Sequence, residues 1–497
     1  MVYDGYTECA IVYLSETFFL KSTGLVLPSE RLTRLQNFGR SLSGPAYLYR
    51  PTHIDQVAKL FDLAGRNGIQ VGLRGAGRSY SDAAINTGEI VLDLQRMNRV
   101  LEWNPEMGVI NVEPGVTIEQ LWKYILEDGW WPPVVPGTMF PTIGGCLASN
   151  IHGKNNWTTG TLGEHVLEFS ALLPNGKEIV CSPRKNKALF QAMIGGMGML
   201  GVFTKITLQM KRIFSGNLEV FSWAVPTLVQ SLESLEQHKE NDYIVGWIDC
   251  TSSGQALGRG QLHKANYLAD GDDPAPVRSL RIENQTLPDN FLGLMPKSML
   301  WRLMRLTMNN LGVRVGNVGK YLVSRTIGNR KQYLQSLVAF NFLLDYVPNW
   351  ERSYGRGGLI QYQSFLPKEA AQEVYLEMLK LCKRRRSPAY LGVLKRHRPD
   401  DFLLTHAVDG YSLALDFRVS NRNRGRLRTL TRELNKIVLE AGGRFYFAKD
   451  STLSTNEVVA YLGEKTVERF KALKSEHDPD NLLQTDLFRR CFLNGRA

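Results

Sequence analysis

The sequence lacks the features that place a chain in or across a membrane. Its 497 residues contain no apolar run of about eighteen residues, which a bilayer-spanning helix needs. The N-terminal region carries Asp4, Glu8 and Glu16, and it lacks the basic segment and clean apolar stretch of a secretion signal. No low-complexity linker or internal repeat is present either. We therefore expect a cytoplasmic protein, with membrane association left open.

Cysteine is scarce and dispersed. The six cysteines form no Cys-x-x-Cys pair, and no cluster of cysteine and histidine has the spacing of metal ligands. This absence argues against a disulfide scaffold and predicts no metal site. We expect reduced, mostly buried thiols at Cys9, Cys146, Cys181, Cys250, Cys382 and Cys491.

Several common catalytic motifs are also missing. There is no Gly-x-x-x-x-Gly-Lys-Ser/Thr loop of a P-loop NTPase and no Gly-x-Ser-x-Gly elbow of a hydrolase. A dinucleotide fingerprint begins at Gly75 and Gly77, but Tyr80 occupies the place of its third glycine. A Rossmann dehydrogenase is therefore not expected.

What the chain does have is length and positive charge. Its 497 residues fit two or three domains, and the formal net charge is +12. A basic balance favours an anionic partner, which could be nucleic acid, anionic lipid or a phosphorylated substrate. No nucleic-acid-binding motif supports the first choice, so we expect no nucleic-acid partner.

Three separate glycine-rich loops are the strongest functional signal. They comprise Arg74-Gly-Ala-Gly-Arg-Ser-Tyr-Ser-Asp82, residues 137–166 and residues 195–201. Glycine allows positive φ and close approach of backbone to a ligand, and successive N–H groups can hold an anion. The second loop should be irregular backbone, and it places His152 beside Lys154. The pattern predicts a long cofactor that lies across several loops.

The hydrophobic pattern predicts an α+β protein of two domains. Short strands and helices fill the first part, whereas longer strands alternate with amphipathic helices after about Phe214. We predict a cofactor-binding domain over 1–213 and a substrate domain over 214–441, built on a largely antiparallel sheet covered by helices. A C-terminal segment, 442–497, should return to the first domain. Residues 297–308 predict a packed helix with basic flanks, or alternatively a lid that faces a membrane.

The first domain resembles the PCMH-type FAD-binding domain of the vanillyl-alcohol-oxidase superfamily. More closely, the whole chain resembles the decaprenylphosphoryl-β-D-ribose 2'-oxidase family. The matching stretches include the first glycine loop, Ile151-His-Gly-Lys-Asn155, Leu359-Ile-Gln-Tyr-Gln363 and Ala448-Lys-Asp450. In many members of the wider superfamily a histidine of the first loop bonds the flavin, but here Arg78 takes its place. The resemblance therefore implies non-covalent FAD.

The same resemblance implies which residues contact FAD. They are Leu73, Arg74, Gly75, Ala76, Gly77, Arg78, Ser79, Tyr80, Ser81, Asp82, Ala83, Gly137, Thr142, Ile143, Gly144, Gly145, Ser149, Asn150, Ile151, His152, Phe203 and Tyr446.

The resemblance further implies oxidation of the C2 hydroxyl of a polyprenylphosphoryl ribose to the 2-keto sugar. This would be the first half of an epimerisation to arabinose for cell-wall synthesis, completed by a short-chain reductase partner. Lys449 would act beside the flavin, as a base or as a charge that stabilises alkoxide, with His152 and Tyr80 as further catalytic candidates. Tyr80 could equally serve only in packing. The implied substrate-binding residues are Lys154, Gln361, Gln363, Lys395 and Lys449.

Departures from the family keep the substrate open. Ala414 stands where the family's pocket strand has a cysteine, and Asn341 and Phe342 replace a tyrosine and a histidine. An aldonolactone or polyol oxidase of the same flavoprotein class is the alternative enzyme. A basic, non-catalytic membrane-binding protein is the alternative outside enzymes.

Overall fold

The computed structural model describes residues 27–291 and 295–493. The N-terminal residues that argued against a secretion signal, and Cys9, lie outside the described residues. The α-helices are α1 Ile54–Arg66, α2 Ile118–Ile125, α3 Ile143–Ala148, α4 Asn156–Thr159, α5 Lys187–Met193, α6 Leu228–Gln237, α7 Pro276–Ser279, α8 Leu300–Thr307, α9 Asn310–Thr326, α10 Leu337–Asn341, α11 Lys368–Arg384, α12 Arg424–Glu440, α13 Thr455–Leu462, α14 Glu464–His477 and α15 Asp486–Phe492.

The strands are β1 Leu32–Gln36, β2 Ser43–Tyr49, β3 Val71–Arg74, β4 Ile90–Asp93, β5 Val100–Asn104, β6 Val109–Val112, β7 Trp130–Trp131, β8 Val166–Leu172, β9 Glu178–Cys181, β10 Val202–Gln209, β11 Lys211–Arg212, β12 Asn217–Val225, β13 Tyr243–Ile248, β14 Gly260–Tyr267, β15 Asn290–Phe291, β16 Met295–Pro296, β17 Lys331–Ser336, β18 Leu359–Pro367, β19 Leu391–His397, β20 Gly410–Arg418 and β21 Arg444–Phe445. Among these described elements, no helix has both the length and the apolarity that crossing a bilayer demands.

Two small sheets build the first domain. One has the order β1-β2-β4-β3, with parallel pairing of β4 to β2 and β3, and the other is an antiparallel sheet of order β5-β6-β10-β8-β9. Helix α1 packs through Val57, Phe61 and Ala64, which recur at the helical spacing of one buried face. The first glycine loop leaves the end of β3, so the small sheet fixes where that loop begins.

The second domain is an antiparallel sheet covered by helices, as the pattern predicted. Its eight strands follow the order β17-β12-β14-β13-β19-β20-β18-β21. Leu413, Leu415 and Phe417 of β20 are buried and alternate with Ser412, Ala414 and Asp416. Helix α11 contacts β20 and β18, and it contributes buried Tyr375 and Met378. The α+β, two-domain fold is therefore confirmed.

The C-terminal segment contacts both domains. Strand β21 is the edge strand of the eight-stranded sheet, so the chain leaves that sheet only after Phe445. Further on, Val71 donates its N–H to the carbonyl of Leu482, and Gln484 donates its N–H to the carbonyl of Val71. The end of the chain therefore lies against β3, from which the first glycine loop departs.

Two local predictions need correction. The second glycine loop is not wholly irregular, because Ile143–Ala148 form helix α3. Thr142 begins that helix with a side-chain oxygen that accepts from the Gly145 N–H, which offsets the poor helix propensity of its glycines. The segment 297–308 does form a helix, α8, but the helix buries none of its side chains. The predicted packing is therefore only partial, because the helix contacts the segment Trp350–Tyr354 but leaves Leu303 and Leu306 exposed.

Candidate active site

The first glycine loop offers a row of free backbone donors. Within the described residues, the N–H groups of residues 75–79 have no hydrogen-bond acceptor, and all five residues are partly exposed. Gly77 has a φ of 64°, a conformation that side chains other than glycine rarely adopt. A Cβ at Gly75 would lie 2.2 Å from Thr142 Oγ1, so this residue lets the two glycine loops touch. Oriented N–H groups of this kind suit a pyrophosphate.

The tip of the same loop is fixed to the segment that carries Lys449. The Tyr80 N–H and the Ser79 hydroxyl both donate to the carbonyl of Ala448, each at 2.9 Å. The Asn37 amide donates to the Tyr80 carbonyl at 2.6 Å. These bonds place Lys449 Nζ 3.9 Å from the centre of the buried Tyr80 ring. Two catalytic candidates that are 369 positions apart in the chain therefore meet.

The acidic residue of the first loop faces away from the free donors. Asp82 forms an ion pair with Arg490 of α15 at 2.7 Å, and Arg490 also pairs with Asp450 at 2.9 Å. All three groups are largely buried. The guanidinium offsets one of the two negative charges, which lessens the repulsion of a nearby phosphate, and it ties the loop to the residue after Lys449.

Hydrogen bonds fix the position of the second glycine loop. Thr138 donates its hydroxyl to Asp345 at 2.6 Å, and the Met139 N–H donates to the same carboxylate at 2.8 Å. The adjoining Gly137 is followed, further along, by Ser149 and by Asn150, whose amide oxygen accepts from the Gly163 N–H at 2.9 Å. This loop therefore reaches from the first domain to Asp345 of the second domain.

Alternation along three neighbouring strands collects the substrate candidates on one face. Gln361 lies opposite Asp416, and Gln363 lies opposite Ala414, across β18 and β20. Lys395 of β19 lies opposite Ser412 of β20. Because side chains two residues apart share a face of a strand, all of these side chains point the same way. Ala414 is partly exposed, whereas its neighbours in β20 on either side are buried.

His152 joins this face from the second glycine loop. Its Nε2 lies 3.2 Å from Gln363 Nε2, and its Nδ1 lies 3.5 Å from Lys395 Nζ. The Tyr446 ring lies 5.5 Å from the His152 ring, centre to centre. Burial and the positive charge of Lys395 hold the pKa of His152 well below its ordinary value. His152 is therefore a neutral imidazole at the junction of the two domains.

Burial also lowers the pKa of three lysines at the site. The pKa of Lys449 falls to about 7 through burial and Lys395, against an opposing effect of Asp416. Burial and Lys395 lower the pKa of Lys154 to about 7, and burial lowers that of Lys395 to about 8. Lys154 donates to the carbonyl of Phe340 and lies over its ring. Amines with these pKa values can exchange protons near neutral pH.

The sequence interpretation missed several residues of the site. Asp416 accepts from the Gln361 amide at 2.6 Å, and burial raises the pKa of Asp416 to about 6. Ser412 Oγ lies 2.8 Å from His397 Nε2 and 3.1 Å from Gln363 Nε2. The signal that could have found Asp416 and Ser412 was their even spacing with Ala414. Finding His397 would have required the register between β19 and β20, which the sequence alone does not give.

Phe203 lies apart from these groups. It is buried in β10, with its ring centre 4.9 Å from that of Phe169 in the neighbouring strand β8. Asn341 and Phe342 are likewise buried, and the Asn341 amide donates to the Leu337 carbonyl at 3.0 Å. The assignment of Phe203 to the cofactor stays a prediction.

Comparison with known proteins decides the cofactor. Residues 45–182 match the family model described as an FAD binding domain. The chain is 28% identical to the decaprenylphosphoryl-beta-D-ribose oxidase of Mycolicibacterium smegmatis over 467 residues, which are 92% of this chain and 97% of the relative. The protein is an FAD-linked oxidoreductase. The free donors of residues 75–79 fit the pyrophosphate of that cofactor.

More distant relatives match less of the chain. The L-gulonolactone oxidase of Bos taurus is 29% identical over 212 residues, 42% of this chain and 47% of the relative. The D-lactate dehydrogenase of Anaerostipes hadrus is 29% identical over 171 residues, 33% of this chain and 36% of the relative. Relatives of similar identity to this chain therefore have names that give different substrates.

Proposed function

We propose that the protein oxidises the C2 hydroxyl of a polyprenylphosphoryl ribose to the 2-keto sugar, with non-covalently bound FAD. The observation that carries this proposal is the similarity to the decaprenylphosphoryl-beta-D-ribose oxidase, which extends over 92% of this chain and so includes the substrate sheet. The lactone oxidase matches 42% of the chain. We therefore assign substrate choice to the residues of the sheet, since function depends on the site and not on the fold that carries it.

The charges of the site support an anionic substrate. Lys154, Lys395 and Lys449 share this site with one buried carboxylate on the strand face, Asp416. Uncompensated cations are costly to bury, and a bound phosphate would stabilise the charged form of nearby lysines. Lys395 and Lys154 are our candidates for that role, and Gln361 and Gln363 for hydrogen bonds to the sugar.

Lys449 is our candidate base. With a pKa near 7, a substantial fraction of this amine is neutral at neutral pH, and it can accept the proton of the sugar hydroxyl. Bound FAD would supply the hydride acceptor for the hydrogen on the carbon that carries this hydroxyl. The Tyr80 ring under Lys449 excludes water from the amine, and the neutral His152 orients Gln363 and Lys395. A short-chain reductase acting on the keto sugar would complete an epimerisation.

Anaerobic flavin bleaching tests the proposal. The purified holoprotein should lose its visible flavin absorbance with farnesylphosphoryl ribose and keep it with farnesyl phosphate, which lacks the sugar. Deuterium at C2 should slow the bleaching, because the bond to that hydrogen breaks. Bleaching by L-gulonolactone or a simple polyol, without bleaching by the lipid-linked sugar, would support the alternative oxidase. Bleaching by none of these would overturn both substrate classes.

A further inference from the structure

Two consecutive helices of the substrate domain present an apolar surface to solvent. Helix α8 buries none of its side chains, and α9 buries only Tyr321 and Ser324. Leu306, Leu311 and Ile327 are 76%, 71% and 75% exposed. The other large apolar residues exposed here, which together with those three we call the α8–α9 surface, are Met299, Leu303, Val315, Val318, Leu322 and Val323. Contiguous exposed hydrocarbon of this kind marks an interaction site.

The exposed residues of α9 follow the spacing of one helix face. Leu311, Val315, Val318 and Leu322 are separated by four, three and four positions, which places them in one stripe. The buried Tyr321 and Ser324 belong to a different face, and Ser324 donates to the Gln261 amide oxygen at 2.9 Å. Helix α9 therefore contacts the substrate domain through one face and exposes an apolar stripe on another.

The charge around this surface has one sign. From Asn290 to Leu344 the sequence has no Asp or Glu, but it has the basic residues Lys297, Arg302, Arg305, Arg314, Lys320, Arg325, Arg330 and Lys331. Among the described residues, Lys297 alone of these eight forms an ion pair, with Asp289 at 3.1 Å. Lys320 lies over the Trp247 ring, with its Nζ 4.1 Å from the ring centre. Exposed hydrocarbon on a segment with the other unpaired cations is complementary to anionic lipid headgroups above acyl chains.

The α8–α9 surface begins at the wall of the active site. Met308, between the two helices, packs in the cluster that contains Tyr80, Trp350 and Tyr354. Arg418 donates to the Met308 carbonyl at 2.8 Å. Tyr390, in the same cluster, donates its hydroxyl to Asn310 at 2.9 Å. A partner bound to this surface would therefore lie beside the Tyr80 side of the site.

We propose that α8 and α9 dock the protein on an anionic phospholipid bilayer and hold the Tyr80 side of the site at the lipid interface. Docking would let a sugar reach the site while its polyprenyl tail stays in the membrane, and in this respect the inference rests on the proposed function. A second copy of the chain fits this surface less well, because two such faces would bring like charges together. A bilayer satisfies both the hydrocarbon and the cations.

Vesicle flotation of the holoprotein, without any sugar substrate, tests the inference. We expect flotation with vesicles of equal phosphatidylglycerol and phosphatidylcholine, weaker binding to phosphatidylcholine alone, and loss of the difference at high salt. The double variant Leu306→Glu/Leu311→Glu should bind anionic vesicles about tenfold more weakly or worse. Val277→Glu/Met107→Glu is the matched control, since these residues are 74% and 66% exposed outside the surface.

The outcomes separate this inference from the proposed function. Wild-type protein that does not float, or a Leu306→Glu/Leu311→Glu variant that floats as well as the matched control, overturns membrane docking. Suppose instead that the wild-type protein does not bind vesicles but self-associates in sedimentation velocity, and that only the Leu306→Glu/Leu311→Glu variant loses this self-association. That result would assign the surface to a second copy of the chain. Failure of flavin bleaching with normal flotation would reject the substrate and leave docking supported. The variant should also retain its flavin absorbance and bleach normally with a water-soluble substrate analogue.

Discussion

The strand face of the active site and the α8–α9 surface both depart from the usual distribution, in which charged side chains are exposed and apolar side chains are buried. The strand face buries charged groups, among them Lys395 and Asp416. The α8–α9 surface exposes hydrocarbon such as Leu306 and Leu311. Neither arrangement stabilises an isolated chain, since burial penalises charge and water penalises exposed hydrocarbon.

In both regions, residues that lower the stability of the isolated chain point to a function. The buried lysines become weaker bases, which suits proton transfer near neutral pH. The exposed apolar residues gain only when another phase or partner covers them. Met308 packs in the cluster that contains Tyr354, and the Tyr354 hydroxyl donates to Asp416 at 3.4 Å, so the two regions are linked through this cluster.

The largest expected effect comes from the buried amine at the flavin side. Replacing Lys449 with Met keeps the length and removes the base, so kcat should fall by about 10²–10⁴-fold. The visible flavin absorbance should be unchanged, because the free donors of residues 75–79 remain. Stopped-flow bleaching gives the rate. Turnover within a few-fold of wild type, with flavin bound, would remove Lys449 from the mechanism.

Removing the buried cation that pairs with Asp450, the residue after Lys449, should mainly affect stability. Arg490→Met leaves Asp82 and Asp450 without the guanidinium that now lies 2.7 and 2.9 Å from them. The free energy of unfolding should fall by about 3–5 kcal/mol, and FAD should be lost at lower denaturant. Urea unfolding followed by fluorescence measures this.

The matched surface control for that variant is Lys436→Met. Lys436 is 76% exposed and lies 3.8 Å from Glu440. Its loss should change the free energy of unfolding by no more than about 0.5 kcal/mol. If the two variants were equally stable, the Arg490 bridge would have no structural role.

Removing the charge of Asp416 on the strand face should shift the pH dependence of kcat/KM. If Lys449 is the base, kcat/KM rises as pH rises through its pKa of about 7, because the neutral amine is the active form. The negative charge of Asp416 raises that pKa. Asp416→Asn keeps an acceptor for Gln361 and removes the charge, so the rising limb should move to lower pH. An unmoved limb, or one moved to higher pH, would contradict the assignment.

The smallest expected effect belongs to the outer surface. Leu322→Ala on α9, at a residue 53% exposed, should change the free energy of unfolding by no more than about 0.5 kcal/mol in solution. Leu413→Ala in β20, at a fully buried residue, should cost about 2–5 kcal/mol. Similar costs at the two sites would mean that α9 is covered by protein, and the contrast between the regions would disappear.

Much of the local structure could be predicted from patterns within the chain. A threonine directly before an amphipathic run predicts a helix cap at Thr117, and the structure shows Thr117 in a capping box with Gln120 at the start of α2. The apolar pattern also predicts a strand from Val109 and an amphipathic helix from Lys368, and the structure has β6 and α11 there. These predictions succeed because capping and hydrophobic periodicity involve residues close in sequence. The helix α3 was missed because its glycines hid the Thr142 cap.

The features of the site likewise fall into those that a local sequence pattern predicts and those that depend on tertiary contacts. The sequence by itself determined the glycine loops, the absence of a flavin-bonding histidine at Arg78, and the period-two pattern that puts Gln361 and Gln363 on one face of a strand. Only the tertiary structure decided that Lys449 lies over Tyr80, that Asp416 accepts from Gln361, and that α8 exposes its apolar residues. Those facts depend on strand register and on packing between residues tens to hundreds of positions apart, and no local pattern encodes such distances.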